Sequence, residues 1–111
     1  MIHNLAIGFS PDLVPLILNR SKELTYRLGD KYNFLEVGDR LNLKDSSTDE
    51  IFGQIEIIQK SHTTFKELPI NGNGHEIYAS NEEKYETFKK YYGRNIDDAE
   101  RVLILRFKLI K

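Results

Sequence analysis

Lys22, Thr25 and Arg27 are residues whose types and spacing could do chemistry together. They lie in a short segment, Ser21–Arg27, whose second half alternates apolar and polar residues with the period of a strand. In a strand, Thr25 and Arg27 share one face, and the flexible Lys22 side chain can reach the same end of it. The same pattern is also typical of polar side chains on the solvated face of an edge strand. Spacing alone leaves both interpretations open.

Physical chemistry sets conditions on any reaction of these three residues. Thr25 is a nucleophile only once its hydroxyl proton is removed. Lys22 serves as the base only where burial or a neighbouring cation lowers its pKa below the ordinary value of about 10.4. Arg27 is such a cation, and it could also bind negative charge that develops in a reaction.

The elements that must position these residues are predicted from periodicity and helix caps. Ser10, as the cap, and Pro11 predict the start of a helix that ends near residues 20–22. A capping box at residues 80–83 predicts a second helix over residues 82–92, which Gly93 closes. Alternating or apolar segments predict strands at residues 24–28, 40–44, 51–59 and 101–110. This order of elements predicts an α+β fold.

Length, charge and cysteine content exclude several classes of protein. With 111 residues the chain is predicted to form one domain, residues 1–111. Its 16 Lys and Arg residues and 17 Asp and Glu residues give a net charge of −1, so bulk charge cannot hold it on nucleic acid or anionic lipid. The absence of cysteine excludes disulfides and thiolate chemistry. No segment predicts a signal peptide or membrane span, so we expect a cytoplasmic protein.

Neither a metal nor a cofactor is predicted. His3, His62 and His75 are too scattered to indicate a metal site. The glycines at 72 and 74 lack the lysine and hydroxyl residues of a phosphate-binding loop. His75 and Glu76 follow those glycines in a predicted loop, where functional residues are common, although a His-Glu pair also serves to anchor a loop.

Aromatic and basic residues could complete a binding cleft. Tyr26, Tyr32 and Tyr78 lie near the other motifs and are the favoured stacking partners for a nucleobase. The aromatic residues of the second predicted helix fit a stripe that packs on the core better than a stacking surface; they are Tyr85, Phe88, Tyr91 and Tyr92. A positive rim could form if the last strand lies beside residues 22–27, which the sequence does not decide. Its members would be Lys22, Arg27, Lys31, Arg40, Arg94, Arg101, Arg106, Lys108 and Lys111.

In order and spacing, these motifs together resemble the ASCH domain, a PUA-like β-barrel family. The resemblance extends from Phe9 to Leu109 and rests on five short segments, namely Lys22–Arg27, Val37–Asp39, Gly74–Glu76, Tyr91–Gly93 and Leu105–Phe107. It implies a small barrel with a mixed sheet of about five to six strands and two main helices. It also implies a stand-alone domain with a cleft suited to RNA or a modified nucleoside. The sequence does not reveal the oligomeric state, for which a monomer is the favoured expectation.

One group of small ASCH proteins removes the acetyl group from N4-acetylcytidine with a Lys, a Thr three residues later and a Glu from a following loop. By this resemblance Lys22, Thr25 and Glu76 are the predicted catalytic residues. Glu23 is a departure, because those amidohydrolases carry a small hydroxyl residue at this position. An ion pair between Glu23 and Lys22 would hold the lysine protonated and hinder catalysis.

Three functions remain open for the predicted cleft, of which the first is the one we expect and the second is its main alternative. The first is binding of RNA or a nucleotide-like ligand, for which the predicted contacts are Arg27, Tyr26, Tyr32, His75 and Tyr78. The second is deacylation of a modified nucleoside such as N4-acetylcytidine, and the third is interaction with another protein. Salt-dependent retention on RNA would favour the first function. Turnover of N4-acetylcytidine would favour the second, and recovery of a protein partner would favour the third.

Overall fold

A computed structural model describes the backbone of residues 2–110 and the side chains of residues 5–110. The side chain of His3 and the whole of Lys111, both considered in the sequence, are outside these described parts. There are five strands, β1 (Ile2–Phe9), β2 (Leu24–Leu28), β3 (Arg40–Asp45), β4 (Ile51–Thr64) and β5 (Arg101–Leu109). There are two α-helices, α1 (Val14–Leu18) and α2 (Asn81–Tyr92), and a 3-10 turn, Pro11–Leu13, leads directly into α1.

The strands form one mixed sheet in the order β1-β3-β4-β5-β2. β1 pairs with β3 in parallel, and every other pairing in this sheet is antiparallel. The 14-residue β4 pairs first with β3 and then with β5, and its register shifts at Ile58. An extra residue of this kind bends a strand and increases its twist. The α+β class, the mixed sheet and the two helices are thus confirmed.

A closed barrel is not confirmed, because β1 and β2 are the two edges of the described sheet. In a closed barrel these two edge strands would pair through backbone hydrogen bonds, whereas here a side chain connects them. The Arg27 guanidinium on β2 donates a hydrogen bond of 2.8 Å to the carbonyl oxygen of Gly8 on β1. The gap between the edge strands leaves room for a cleft.

Two hydrophobic clusters cover the two faces of the sheet. One contains Leu103, Leu105 and Phe107 of β5, and the other contains Leu24, Tyr26 and Leu28 of β2 together with Phe88 of α2. Because side chains alternate along a strand, Thr25 and Arg27 point to the face opposite Tyr26. The shared face predicted for Thr25 and Arg27 follows from this alternation.

The first helix is shorter than predicted. A 3-10 turn and α1 together end at Leu18, because the chain reverses at Arg20 through a left-handed backbone conformation, with φ of 68°. Ser10 makes no side-chain capping bond, and its carbonyl oxygen instead accepts from the Leu13 N–H at 2.9 Å. Strand β1, which the sequence did not predict, precedes this turn.

The second helix begins and ends as predicted. Ser80 Oγ accepts from the Glu83 N–H at 3.1 Å, and Gly93 follows the last turn in a left-handed conformation with φ of 70°. In the described part of the chain, no helix has the length and apolar character needed to cross a bilayer.

Candidate functional site

A cleft of about 220 Å³ lies where the gap between β1 and β2 meets the C-terminal end of α2 and residues 75–78. Seven of the eight predicted site residues line it. Tyr32 is the eighth residue and is buried in the core beneath Arg27, whose guanidinium carbon lies 5.5 Å from the centre of the Tyr32 ring. The structure therefore brings the three predicted catalytic residues into one cleft.

Lys22 and Glu76 form a direct ion pair in this cleft. Lys22 Nζ lies 2.6 Å from Glu76 Oε2, although the two residues are 54 positions apart in the sequence. The ammonium group also donates 2.9 Å to the carbonyl oxygen of Leu24, the residue before Thr25. Lys22 is only 4% exposed. The pair thus joins a buried lysine to a half-buried glutamate, and both residues line the cleft together with Thr25.

The surroundings lower the pKa of both members of the pair. Burial lowers the pKa of Lys22, and the charge of Arg27 lowers it further, while Glu76 opposes both effects. For Glu76, burial favours the neutral acid, but the charge of Lys22, that of His75 in acid where the imidazole is protonated, and the hydrogen bond from Lys22 outweigh burial and lower the pKa. Lys22 thus gives up its proton more readily than an exposed lysine, and Glu76 stays ionised.

Thr25 is buried and oriented by Arg27. It is 3% exposed, and its Oγ1 accepts a hydrogen bond of 3.1 Å from Arg27 Nε. Because the Thr25 oxygen is the acceptor in this bond, the Thr25 hydroxyl proton points away from Arg27. The Arg27 guanidinium packs over the Phe9 ring at 4.6 Å and has no carboxylate within 4.0 Å among the described residues. It is therefore a cation that can bind a negative oxygen of a ligand.

The loop that carries Glu76 is attached to the sheet at several points. The Glu23 N–H donates to the Gly74 carbonyl at 2.8 Å, and Arg106 donates to the Asn73 carbonyl at 3.0 Å. The His75 ring stacks on Tyr26, with 4.0 Å between ring centres and 10° between planes. Burial and the charge of Lys22 lower the pKa of His75 to about 4, so this imidazole is neutral at pH 7.

Glu23 does not pair with Lys22 as the sequence suggested. Its carboxylate lies 3.9 Å from the guanidinium of Arg106, on the neighbouring strand β5. The reason is the strand geometry, because Leu24 is paired directly with Arg106 and the backbone of Glu23 continues this ladder to Phe107. The carboxylate that favours the protonated form of Lys22 is therefore Glu76 and not Glu23, and burial of Lys22 acts against it.

Gly72 has a steric role that we expect a substitution to reveal. A Cβ at this position would overlap the hydroxyl of Tyr26, which is buried and has no hydrogen-bond partner among the described residues. The Gly72→Ala change should therefore displace the loop and lower the free energy of unfolding by about 1–3 kcal/mol, measured by thermal or urea denaturation.

A second substitution separates this clash from a general effect of alanine. In the Gly72→Ala/Tyr26→Phe double variant the overlapping hydroxyl is absent, and we expect most of the lost stability to return. Gly8→Ala is the matched control, because its Cβ would make only ordinary contacts, at 3.5 Å or more. Equal losses in the single and the double variant would contradict the steric explanation.

The exposed aromatic residues of the cleft are Tyr91 and Tyr92, which the sequence predicted to pack on the core. Tyr26 and Tyr78 are each only 7% exposed or less, and Tyr78 packs beside His75 at 5.8 Å. By contrast Tyr91 is 47% exposed and Tyr92 is 37% exposed, and both line the cleft. The sequence signal that could have separated them is their position in the last turn of α2, where the hydrophobic stripe reaches the end of the helix.

The predicted positive rim is largely neutralised. Strands β2 and β5 are neighbours, as the rim requires. However, five of its eight described cations lie near a carboxylate, in the pairs Lys22–Glu76, Arg40–Glu56, Lys108–Glu56, Arg94–Glu100 and Arg106–Glu23. Such a surface lacks the row of unpaired cations that holds a polynucleotide. The residues that the structure describes also contain no group of three or more His, Asp or Glu side chains placed to hold a metal ion.

Comparisons with known proteins identify the fold. No protein-family model matches the sequence, and no curated protein matches it. Solved structures do match. The ASCH domain from Lactobacillus crispatus has a TM-score of 0.69 at 16% identity, with 94% of this chain and 77% of that domain covered. A protein from Pyrococcus furiosus, solved in solution by NMR, has a TM-score of 0.67 at 16% identity, with 98% and 99% covered.

A third structure, a mutant of ZmASCH from Zymomonas mobilis, has a TM-score of 0.65 at 13% identity and covers 96% of this chain and 71% of its own. The chain is thus a small α+β protein with a cleft at an open edge of its sheet. More specifically, it has the fold of ASCH domains, and the resemblance seen in the sequence is confirmed at the level of the fold.

Proposed function

We propose that this protein hydrolyses the amide of an acylated nucleobase, as in N4-acetylcytidine. The observation that carries the proposal is that Lys22, its partner Glu76 and Thr25 meet in one cleft of about 220 Å³, where Lys22 is only 4% exposed. A lysine whose pKa is lowered by burial, next to a hydroxyl group, is a combination that a hydrolase uses. The resemblance to ASCH amidohydrolases supports the same assignment of Lys22, Thr25 and Glu76.

The first half of the reaction transfers the acyl group to Thr25. Lys22, in its neutral form, takes the hydroxyl proton while Thr25 Oγ1 forms a bond to the carbonyl carbon, and the carbonyl π electrons move to oxygen. Arg27 donates hydrogen bonds to this oxyanion. When the carbonyl reforms, the bond between carbon and nitrogen breaks, and the departing nitrogen takes the proton from the Lys22 ammonium. The nucleoside amine leaves, and Thr25 carries the acyl ester.

The second half returns the enzyme to its starting state. A water molecule gives a proton to neutral Lys22 and attacks the ester carbon, again with Arg27 beside the oxyanion. Collapse of this intermediate breaks the bond to Thr25 Oγ1, which takes the proton from Lys22. The products are a carboxylic acid and the amine. Glu76 orients Lys22 throughout and stabilises its protonated form between the two transfers.

Charge favours a nucleoside over a long RNA as the substrate. Most of the described cations of the predicted positive rim lie near a carboxylate, and the net charge is −1. Neutralisation of many phosphates, which gives RNA-binding proteins their affinity, is therefore weak here. Arg27, which has the hydrogen bonds described above but no ion pair in the described structure, suffices for one carbonyl oxygen.

The direct test is turnover of N4-acetylcytidine by the parent and by variants of Lys22. Cytidine formed is quantified by chromatography. We expect the rate of the parent to rise with pH and to level off below the ordinary pKa of lysine, because the active form of Lys22 is neutral and burial lowers its pKa. Lys22→Met should lose at least about 10³-fold in kcat/KM.

Lys22→Arg is the matched control, since it retains a positive charge beside Glu76 but does not lose a proton near neutral pH. We expect it to fold like the parent and to be inactive. An active Lys22→Arg variant would contradict the role of Lys22 as a base. Saturable binding of N4-acetylcytidine or RNA without turnover by the parent would instead support the binding function.

A further inference from the structure

Tyr91 differs from the other aromatic residues of the cleft because its ring is accessible. It lies in the last turn of α2, lines the cleft and is 47% exposed. In the described part of the structure its ring makes no contact with another aromatic ring. Its neighbour Tyr92, by contrast, stacks on Phe88 with 6.1 Å between ring centres and accepts a hydrogen bond from the Leu28 N–H.

The two cleft tyrosines that were predicted to stack on a nucleobase already pack against other rings of the protein. Tyr26 lies flat against His75 at 4.0 Å. Tyr78 packs beside His75 and Phe88, at 5.8 and 6.3 Å. These residues line the cleft, but their side chains are 7% exposed or less, so a nucleobase could stack on these rings only after they had moved apart.

Burial raises the pKa of the Tyr91 hydroxyl, and Ser10, which follows strand β1 and also lines the cleft, acts on this pKa in the opposite direction. Tyr91, at the end of α2, therefore lies near the opposite wall of the cleft. Its half-exposed ring is an accessible apolar surface at the site that holds Lys22 and Thr25.

We propose that the nucleobase of the substrate stacks on Tyr91, so that this residue selects amides of aromatic amines. The inference rests on the proposed function for the identity of the substrate. Stacking of a base on an aromatic side chain strengthens binding by about 5- to 150-fold. Every base has a flat face, so stacking on Tyr91 selects for a nucleobase but does not distinguish one base from another. Polar groups must then recognise the edges of the base.

Fluorescence gives a direct test, because the chain contains no tryptophan. The Tyr91→Trp variant has a single indole, and we expect cytidine to quench its emission in a saturable way. Lys90→Trp is the matched control, with an indole on the adjacent, exposed position of α2 that does not line the cleft. Its emission should not respond to cytidine.

The effect on affinity is measured by calorimetric titration of the unlabelled variants with cytidine. Tyr91→Leu should weaken binding by at least about fivefold, and Tyr91→Phe, which retains the ring, should bind within about twofold of the parent. Thermal unfolding of each variant shows that it is folded. Tyr91 is half-exposed, so we expect little change in stability.

The outcomes separate this inference from the proposed function. If Tyr91→Leu binds cytidine as tightly as a parent that turns over N4-acetylcytidine, the stacking inference is wrong and the proposed function stands. If cytidine binding depends on Tyr91 but the parent does not hydrolyse the amide, the stacking inference stands and the proposed function is wrong. If the parent neither binds nor hydrolyses, both are wrong.

Discussion

The Thr25→Val variant should lose at least about 10³-fold in kcat/KM for N4-acetylcytidine, because the attacking oxygen is removed while the shape of the side chain is retained. Thr25 is 3% exposed, so an isosteric replacement keeps the packing of this edge of the sheet. The cost to stability should be about 1 kcal/mol, since Arg27 Nε loses its acceptor on Thr25. Cytidine release and urea denaturation measure the two effects.

Thr25→Ser is the matched control for this substitution. Serine retains the hydroxyl group, and we expect it to keep a measurable fraction of the activity that valine removes. Mass spectrometry of the intact protein, quenched during turnover, should detect one added acetyl group on the parent and none on Thr25→Val. Activity in Thr25→Val close to that of the parent would show that water attacks the amide directly and that Thr25 is not the nucleophile.

Local sequence patterns predicted the elements that carry Thr25 and the wall opposite it. Strand β2 and helix α2 were located to within one residue, since the period of two around Thr25 and the caps at Ser80 and Gly93 are properties of the adjacent residues. The same holds for β5, whose apolar run predicts a central strand. This strand lies between β4 and β2 in the sheet.

Features that depend on distant residues were not predictable in the same way. Strand β1 is an edge strand that pairs in parallel with β3, more than 30 residues later in the chain, and no local pattern encodes such a pairing. The gap between the edge strands β1 and β2 is spanned by Arg27, which donates to the carbonyl oxygen of Gly8, 19 residues earlier in the chain. The short first helix depends on the left-handed conformation of Arg20, a non-glycine residue that gives no composition signal.

The candidate site shows the same division. Thr25 and Arg27 could be placed on one face from their spacing, because the period of a strand is local. The pairing of Lys22 with Glu76 spans 54 residues, so only the resemblance to a family predicted it. The ion pair considered between the adjacent residues Glu23 and Lys22 is not formed, because Arg106 lies beside Glu23 on the neighbouring strand. Cross-strand neighbours become visible only when the register is known.

The second large effect is expected from Phe65→Ala, which should lower the free energy of unfolding by about 3–5 kcal/mol. The Phe65 side chain is 0% exposed and forms edge-on contacts with Tyr85 and Phe88 of α2, at 4.7 and 4.9 Å between ring centres. Its ring also lies 4.8 Å from the ammonium group of Lys84, which is fully buried and donates to the carbonyl oxygens of Phe65 and Leu68.

The loss should be large because removal of the ring affects two kinds of interaction at once. A cavity forms between α2 and the sheet, and the buried Lys84 ammonium loses the aromatic face that partly replaces its hydration. Thermal denaturation should show a decrease in Tm of about 15 °C. Phe34→Ala makes the same chemical change at a half-exposed position and should cost about 1 kcal/mol or less.

Phe65→Leu keeps the measurement possible if the alanine variant does not fold, and we expect an intermediate loss, since leucine fills part of the cavity. Phe65 does not line the cleft, so both variants should hydrolyse N4-acetylcytidine at the parent rate at temperatures where they remain folded. A loss of activity in a fully folded Phe65→Leu variant would mean that the Phe65 ring sets the position of α2, and therefore the position of Tyr91 in the cleft. Equal losses of stability in Phe65→Ala and Phe34→Ala would contradict the assignment of Phe65 as the contact that holds α2 on the sheet.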